Sequence, residues 1–340
     1  MLNQDVLNCR PLSSARKILL AISGGPDSTA LLKLAADWRA AGPARPDICA
    51  ATIDHGLRPE ARAEAQAVAA LAQKLGITHS ILVWEGEKPL AAVQEKARAA
   101  RYRLLVAHAH EIGADCIVTA HHADDQAETV LMRMARGSGI AGLAGMRRVV
   151  ALDGLSLVRP LLDVPKSGLV AFCRAEGLPF AEDSSNVDPR YARARLRLLA
   201  QTLAAQGLSA RRLTELARRA ARADEALGAM AQNVGDRVCK SDPAGGARLD
   251  FKALLAEPEE IGLRVLIAGV KRLSAAPLRL HRVEDAFGRI SKACRAGESL
   301  KLSLGGALLR LDSSGSLTLG AEPARRRGRS GTSQSVHRID

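Results

Sequence analysis

The sequence predicts an α/β chain: a doubly wound, mostly parallel sheet, followed by a smaller helical domain and a short β region. Three observations carry that reading. Up to about residue 185, short apolar runs alternate with helical stretches. Several of those stretches stop at a glycine (Gly76, Gly113, Gly177), as helices ending on a left-handed residue do. From Tyr191 onward the apolar runs give way to helix rich in arginine and alanine.

Each element follows from its residues. Lys17 to Ile22 is apolar enough for a buried parallel strand, and Thr29 to Ala36 reads as the helix after it. Asp47 to Ile53 is the second strand, Glu60 to Leu75 a helix, and Ile77 to Trp84 the third strand. Leu90 to Ile112 is a long helix, Asp115 to Thr119 the fourth strand, and Asp125 to Arg136 a further helix. Val149 to Leu152 and Leu155 to Val158 flank Asp153-Gly154, a two-residue hairpin signal. Val164 to Glu176 closes this part of the chain as a helix.

The next segment carries Arg193, Arg195, Arg197, Arg211, Arg212, Arg218, Arg219 and Arg222. A helical domain reaches about Ala286, with a loop by composition at 241–246. Leu300 to Leu319 alternates apolar and polar residues around glycine turns, the pattern of a small hairpin or sheet. The basic tail, 321–340, is too poor in apolar residues to fold and reads as disordered.

A length of 340 residues allows two or three domains, and a formal net charge of +13 implies an acidic partner. Nucleic acid is the usual one, with an anionic membrane surface as the competitor. No apolar run approaches the roughly 20 residues that span a bilayer, and Met1 to Asp5 does not open a secretory signal. The six cysteines are scattered, without a C-x-x-C pair. That argues against zinc, iron–sulfur or redox use and fits a reducing cytoplasm. Aromatic residues make up 2% of the chain, so RNA bases would meet arginine planes and phosphate contacts rather than aromatic platforms.

The stretch Ser23-Gly24-Gly25-Pro26-Asp27-Ser28 sits between the first strand and its helix. A glycine turn there lets backbone approach a ligand and aims unpaired helix-start N–H groups at it, which makes a phosphate cradle. It is neither a Walker A loop, which ends in Gly-Lys-Ser/Thr, nor a dinucleotide fingerprint with three spaced glycines. Asp27 beside phosphates is repulsive unless a divalent cation lies between, so the reading is a nucleotide held with magnesium near Asp27. The bland alternative is an ordinary glycine turn at a helix start. Two more marked loops, Asp54-His55-Gly56-Leu57-Arg58 and His121 to Glu128, also follow strand ends. In an open α/β sheet such loops converge on one crevice.

These stretches, with Thr119 to Thr129 and Arg159-Pro160-Leu161-Leu162, carry a resemblance covering residues 16 to 200. The first resembles the PP-loop of the ATP pyrophosphatase superfamily, and the four in order resemble the tRNA(Ile)-lysidine synthases. The resemblance implies that lysine is ligated to the wobble cytidine of tRNA(Ile) bearing a CAU anticodon, with ATP and Mg2+ as cofactors. It places ATP at Ser23, Gly24, Gly25, Pro26, Asp27, Ser28, Asp54 and His55. It implies a PP-loop catalytic domain at 1–185, an arginine-rich linker at 186–215 and a tRNA-binding region at 216–320.

Asp125 and Glu128 have the spacing of a helix capping box, with Asp125 as the cap. They are equally two carboxylates one turn apart, suited to an ammonium or to magnesium on ATP, and the resemblance favours the substrate lysine. His121-His122 beside Asp124 lacks the spacing of a structural metal site; one histidine, His121, is expected near the phosphates or the cytidine. Asp54 either shapes its loop or acts chemically. Gln94, Arg98, Arg101 and Tyr102 form one helix face, either merely solvated or, by resemblance, offering Arg98 or Arg101 to phosphate. The run Tyr191-x-Arg193-x-Arg195-x-Arg197 resembles the family's spaced arginines. Ser184 and Ala194 depart from its pattern, and Arg193 is the first choice for a catalytic contact, with Arg197 beside it on substrate or RNA. The rival readings are a PP-loop tRNA 2-thiolation enzyme, disfavoured by the missing C-x-x-C, and a non-catalytic RNA-binding protein, for which Asp27, Asp125 and Glu128 have no use. The oligomeric state stays open, a homodimer included.

Overall fold

Strand β1 (Lys17–Ala21) has three central residues buried on both faces, so it must lie inside a sheet rather than at its edge. In this computed structural model the described residues are 2–42, 45–56, 61–86, 93–181, 192–241 and 246–322, without the side chains at 93, 94, 192–194 and 241. Along the chain follow α1 (Pro26–Ala40), β2 (Asp47–Asp54), α2 (Ala61–Lys74), β3 (Thr78–Val83) and α3 (Val93–Glu111). Next come β4 (Cys116–Thr119), α4 (Ala123–Met134), α5 (Ile140–Leu143), β5 (Val149–Leu152), β6 (Leu155–Val158) and α6 (Lys166–Ala175). The arginine-rich helices are α7 (Ala192–Ala205) and α8 (Ala210–Val238).

The six strands are ordered β3-β2-β1-β4-β6-β5 and are parallel except for the β5–β6 hairpin. Asp153 (φ 47°) and Gly154 (φ 81°) turn that hairpin, both left-handed as a type I′ turn requires. The order reverses at β1, which pairs with β2 on one side and β4 on the other. The crevice for a ligand therefore opens beyond the carboxyl ends of β1 and β4. One face of the sheet packs Leu20, Leu31, Trp38 and Leu169; the other packs Leu19, Leu105, Ala109 and Ile117. The hydrophobic contacts, not intrinsic propensity, hold α1, α3 and α6 against the strands.

Residues 1–222 form one compact unit and 223–340 another. The second contains β7 (Cys239–Ser241), β8 (Ala247–Asp250), α9 (Phe251–Leu254), α10 (Glu259–Leu273), α11 (Leu280–Ala296), β9 (Leu300–Leu304), β10 (Ala307–Leu311) and β11 (Ser316–Ala321). Its antiparallel sheet has the order β7-β8-β11-β10-β9 around Phe251, Leu266, Val283 and Leu317. Two sequence expectations change here. Helix continues past Ala286 to Ala296, and the segment flanking the expected 241–246 loop pairs as β7 and β8. A three-residue strand such as β7 shows too little alternation to be read in advance; its partner β8 decides it. The tail from 323 and the run Glu182 to Tyr191 lie outside the described residues. Among the described residues no helix is long and apolar enough to cross a membrane.

Trp38 is fully buried and donates its Nε1–H to Asn8 Oδ1 at 2.8 Å. Trp38→Ala should cost about 3–5 kcal/mol in chemical denaturation, because it opens a cavity in the core.

Candidate active site

The glycine loop after β1 keeps its shape through its own hydroxyls. Ser28 Oγ accepts from the Ser23 backbone N–H (3.1 Å), donates to Gly25 O (3.0 Å) and lies 3.2 Å from Ser23 Oγ. Gly24 has φ +86°, and a Cβ there would stand 3.2 Å from Val68 Cγ2. That position therefore takes glycine. Gly25 is the N-cap of α1 and Pro26 its first residue, so Asp27 and Ser28 sit in the first turn rather than in the loop. From behind, Ala181 N–H donates to Gly24 O at 3.0 Å and Cys173 Sγ to Pro26 O at 3.3 Å. A helix start with open N–H groups on a braced glycine turn is an anion cradle.

Asp27 joins that cradle to α4. Its Oδ2 lies 3.4 Å from His122 Nε2, and its Oδ1 is buried without a hydrogen-bond partner among the described residues. An orphaned carboxylate oxygen beside a phosphate cradle suits magnesium, which binds through one or two carboxylates plus substrate phosphate oxygens. Among the described residues no cluster of three or more His, Cys, Asp or Glu could hold a metal alone. A cation at Asp27 would share its ligands with the nucleotide.

His122, which the sequence reading did not select, is the centre of this region. Its side chain is 4% exposed and touches three carboxylates: Asp27 (3.4 Å), Asp125 Oδ2 (3.5 Å) and, through Nδ1, Asp124 Oδ2 (3.6 Å). Burial alone would lower its pKa; the carboxylates of Asp124, Asp27 and Asp125 outweigh burial and raise it to about 9. In turn His122 holds the Asp124 carboxyl below its ordinary value. Asp124 Oδ2 also accepts from Lys166 N–H at 2.8 Å. The signal present in the sequence was a histidine directly before a helix whose second and third residues are acids.

The capping expectation is corrected. Helix α4 begins at Ala123 with His122 as N-cap, and Asp125 is the third helical residue, its Oδ2 accepting from His122 N–H at 3.2 Å. Asp125 is thus the reciprocal partner of the cap, not the cap itself. Glu128, one turn on and 7% exposed, pairs with Arg197 of α7: Nε to Oε1 is 2.6 Å, and Nη2 reaches Asp125 Oδ1 at 3.7 Å. Ala127, Val130, Leu213 and Ala217 bury α4 against α8, and Thr214 Oγ1 donates to Ala123 O at 3.2 Å.

The remaining candidates line the same edge of the sheet. Asp54 Oδ1 accepts from Gly56 N–H at 2.9 Å, which shapes the loop after β2. His55 stacks edge-on against Trp84 with ring centres 6.1 Å apart, and its Nε2 lies 3.3 Å from Arg101 Nη2. His121 Nδ1 is 2.8 Å from Thr119 Oγ1. Arg98 lies over the Tyr102 ring, 5.1 Å from its centre. Arg193 falls in α7, but its side chain lies outside the described residues, as do Leu57, Arg58 and the run Asp183 to Asn186.

The PP-loop domain family matches residues 2–203. A tRNA(Ile)-lysidine synthase of Methylobacterium nodulans is 53% identical over 320 residues, covering 93% of each chain. One of Bradyrhizobium sp. is 46% identical over 336 residues, covering 94% of each. The chain belongs to the tRNA(Ile)-lysidine synthase family. The fold alone is shared with the U34-tRNA thiolase NcsA of Methanococcus maripaludis, solved with its [4Fe-4S] cluster. That match has a TM-score of 0.55 at 16% identity, covering 65% of this chain and 77% of that one. As a family member the chain is an ATP-dependent ligase, and its six cysteines are free.

The raised pKa of His122 has a pH signature. Its favourable contribution is complete below about pH 6.5, the unfolded value, and is lost as pH rises through about 9. His122→Gln should therefore destabilise the nucleotide-free protein most below about pH 6.5, with the difference shrinking above 9 in denaturant titrations.

Proposed function

We infer that the chain attaches L-lysine to C2 of the wobble cytidine in a tRNA(Ile) with a CAU anticodon. ATP is consumed to AMP and pyrophosphate, and the modified tRNA switches from reading AUG to reading AUA. The observation that carries this reading is the meeting of the PP-loop and the acidic start of α4 across His122. It supplies a triphosphate cradle and an ammonium-binding pair of acids in one crevice. Family membership supplies the reaction class.

In the first step the C2 carbonyl oxygen of the cytidine attacks the α-phosphate and pyrophosphate leaves. The Gly24–Gly25 backbone, the Ser23 and Ser28 hydroxyls and the N–H groups opening α1 neutralise the growing charge. Asp27 would hold Mg2+ through its open oxygen; that ion supplies charge neutralisation at the phosphates. In the second step the ε-amine of lysine attacks C2 and AMP leaves with the former carbonyl oxygen. The amine must attack as the free base. Asp125 and Glu128 draw in the ammonium form, and one of them takes a proton from it so that the lone pair is free to attack C2. Arg193 and Arg197 from α7 complete the substrate side. The reaction is assigned to the cytoplasm, where tRNA and free lysine meet.

ATP-dependent transfer of radiolabelled lysine to a tRNA(Ile) transcript with a CAU anticodon tests the reading. Asp27→Ala and Asp125→Ala should each lower incorporation by about 10²-fold or more. Labelling that persists in both variants, or that needs no ATP, would overturn it.

A further inference from the structure

The His122 ring stands close to three carboxylates yet at hydrogen-bond distance from none of them. Its Nε2 lies 3.4 Å from Asp27 Oδ2 and 3.5 Å from Asp125 Oδ2, beyond the roughly 2.7–3.2 Å of an N–H···O bond. Its Nδ1, 3.6 Å from Asp124 Oδ2, is buried without a hydrogen-bond partner among the described residues. Carboxylates only accept, so Nε2 carries a hydrogen, and that one N–H faces two acids. It is committed to neither. Asp27 Oδ1 is likewise buried without a hydrogen-bond partner among the described residues.

The surroundings fix two of the acids and leave the ring room to choose. Asp125 Oδ2 accepts from the His122 backbone N–H at 3.2 Å, and Asp124 Oδ2 from Lys166 N–H at 2.8 Å. A ring shift of roughly 0.5 Å would close a bond to Asp27 or to Asp125 and lengthen the other contact. The ring is 4% exposed against 25% for the Asp27 side chain and 15% for that of Asp125. Ligands therefore reach the acids and not the imidazole. We propose, on the reading of the crevice given above, that His122 is a positioning residue that sets two seats against each other. One is the seat for phosphate-bound Mg2+ at Asp27, the other the seat for the lysine ammonium at Asp125.

Asp27 engaged with a cation no longer draws the imidazole, whose N–H then closes on Asp125. An ammonium arriving there meets an acid that is already bonded. The converse also holds: an ammonium on Asp125 turns the ring towards Asp27, where it competes with the cation. By linkage the two effects are equal in free energy. Glu128 has its own partner in Arg197 and takes no part in the exchange, so lysine binding is weakened rather than abolished. Once pyrophosphate has left and Asp27 is bare, the ring returns to it and Asp125 opens to the amine. That order suits the chemistry, because an amine seated before the cytidine is activated has no leaving group to displace.

The test is the affinity of the full chain for radiolabelled lysine, by equilibrium dialysis, with and without saturating α,β-methylene ATP and Mg2+. That analogue cannot be cleaved between its α and β phosphates, so binding is read without turnover. Lysine affinity should fall about five- to tenfold with the Mg2+-loaded analogue, and saturating lysine should weaken the analogue by the same factor. With EDTA in place of Mg2+ the factor should drop below about twofold. His122→Ala, which removes the shared N–H, should also bring it below about twofold; a merely structural role would change both affinities and keep their ratio. Should that variant not fold, the wild-type comparison with and without Mg2+ still decides. Equal lysine affinity with and without the Mg2+-loaded analogue overturns the proposal, as does a factor that survives in His122→Ala. Lysine transfer to tRNA(Ile) without this antagonism sinks the proposal and keeps the functional reading; antagonism without transfer does the reverse.

Discussion

A single buried imidazole lies where three carboxylates converge. Asp27 comes from the first turn of α1, Asp124 and Asp125 from the first turn of α4, and His122 touches all three within 3.6 Å. Three acids this close together would repel one another. The cation between them makes the arrangement tolerable. It also ties the loop after β1 to the loop after β4, the two strands that flank the switch point. Without that tie the phosphate cradle and the acidic helix would be neighbours in topology only.

Charge is divided unevenly around the crevice. On the α4 side the protein supplies its own counter-ions: His122 for Asp27 and Asp125, Arg197 for Glu128. On the α3 side Arg98 lies over Tyr102 with no carboxylate partner among the described residues. An internally neutralised acidic side can exchange its cation for an incoming ammonium at small electrostatic cost, because the charge count is unchanged. An unneutralised basic side attracts an anion from solvent outright. The two halves of the site therefore favour ligands of opposite sign, as a ligase that joins an amine to a polyanion requires.

Much of this was legible in advance. Strands β1, β2 and β4 appear as apolar runs because both faces of a parallel sheet are covered, and the hairpin turn at Asp153-Gly154 is announced by its residues. The glycine cradle was legible because only glycine takes φ +86° at position 24. The start of α4 was not. Histidine is not among the favoured N-caps, and the acid–acid spacing of Asp125 and Glu128 imitates a capping box three residues further on. Nor was β7, whose three residues become a strand only by pairing with β8.

The residue types and their order determined that this chain carries a glycine turn and a helix start at the end of its first strand and acids at the end of its fourth. Local rules suffice there, since a glycine turn, a helix start and an apolar run act within a few residues of one another. Only the tertiary structure decided which acid answers to which cation: Asp27 to His122 and Glu128 to Arg197. Those pairings join residues 69 or more positions apart. They depend on how helices pack against a sheet, and sequence spacing carries no record of that distance.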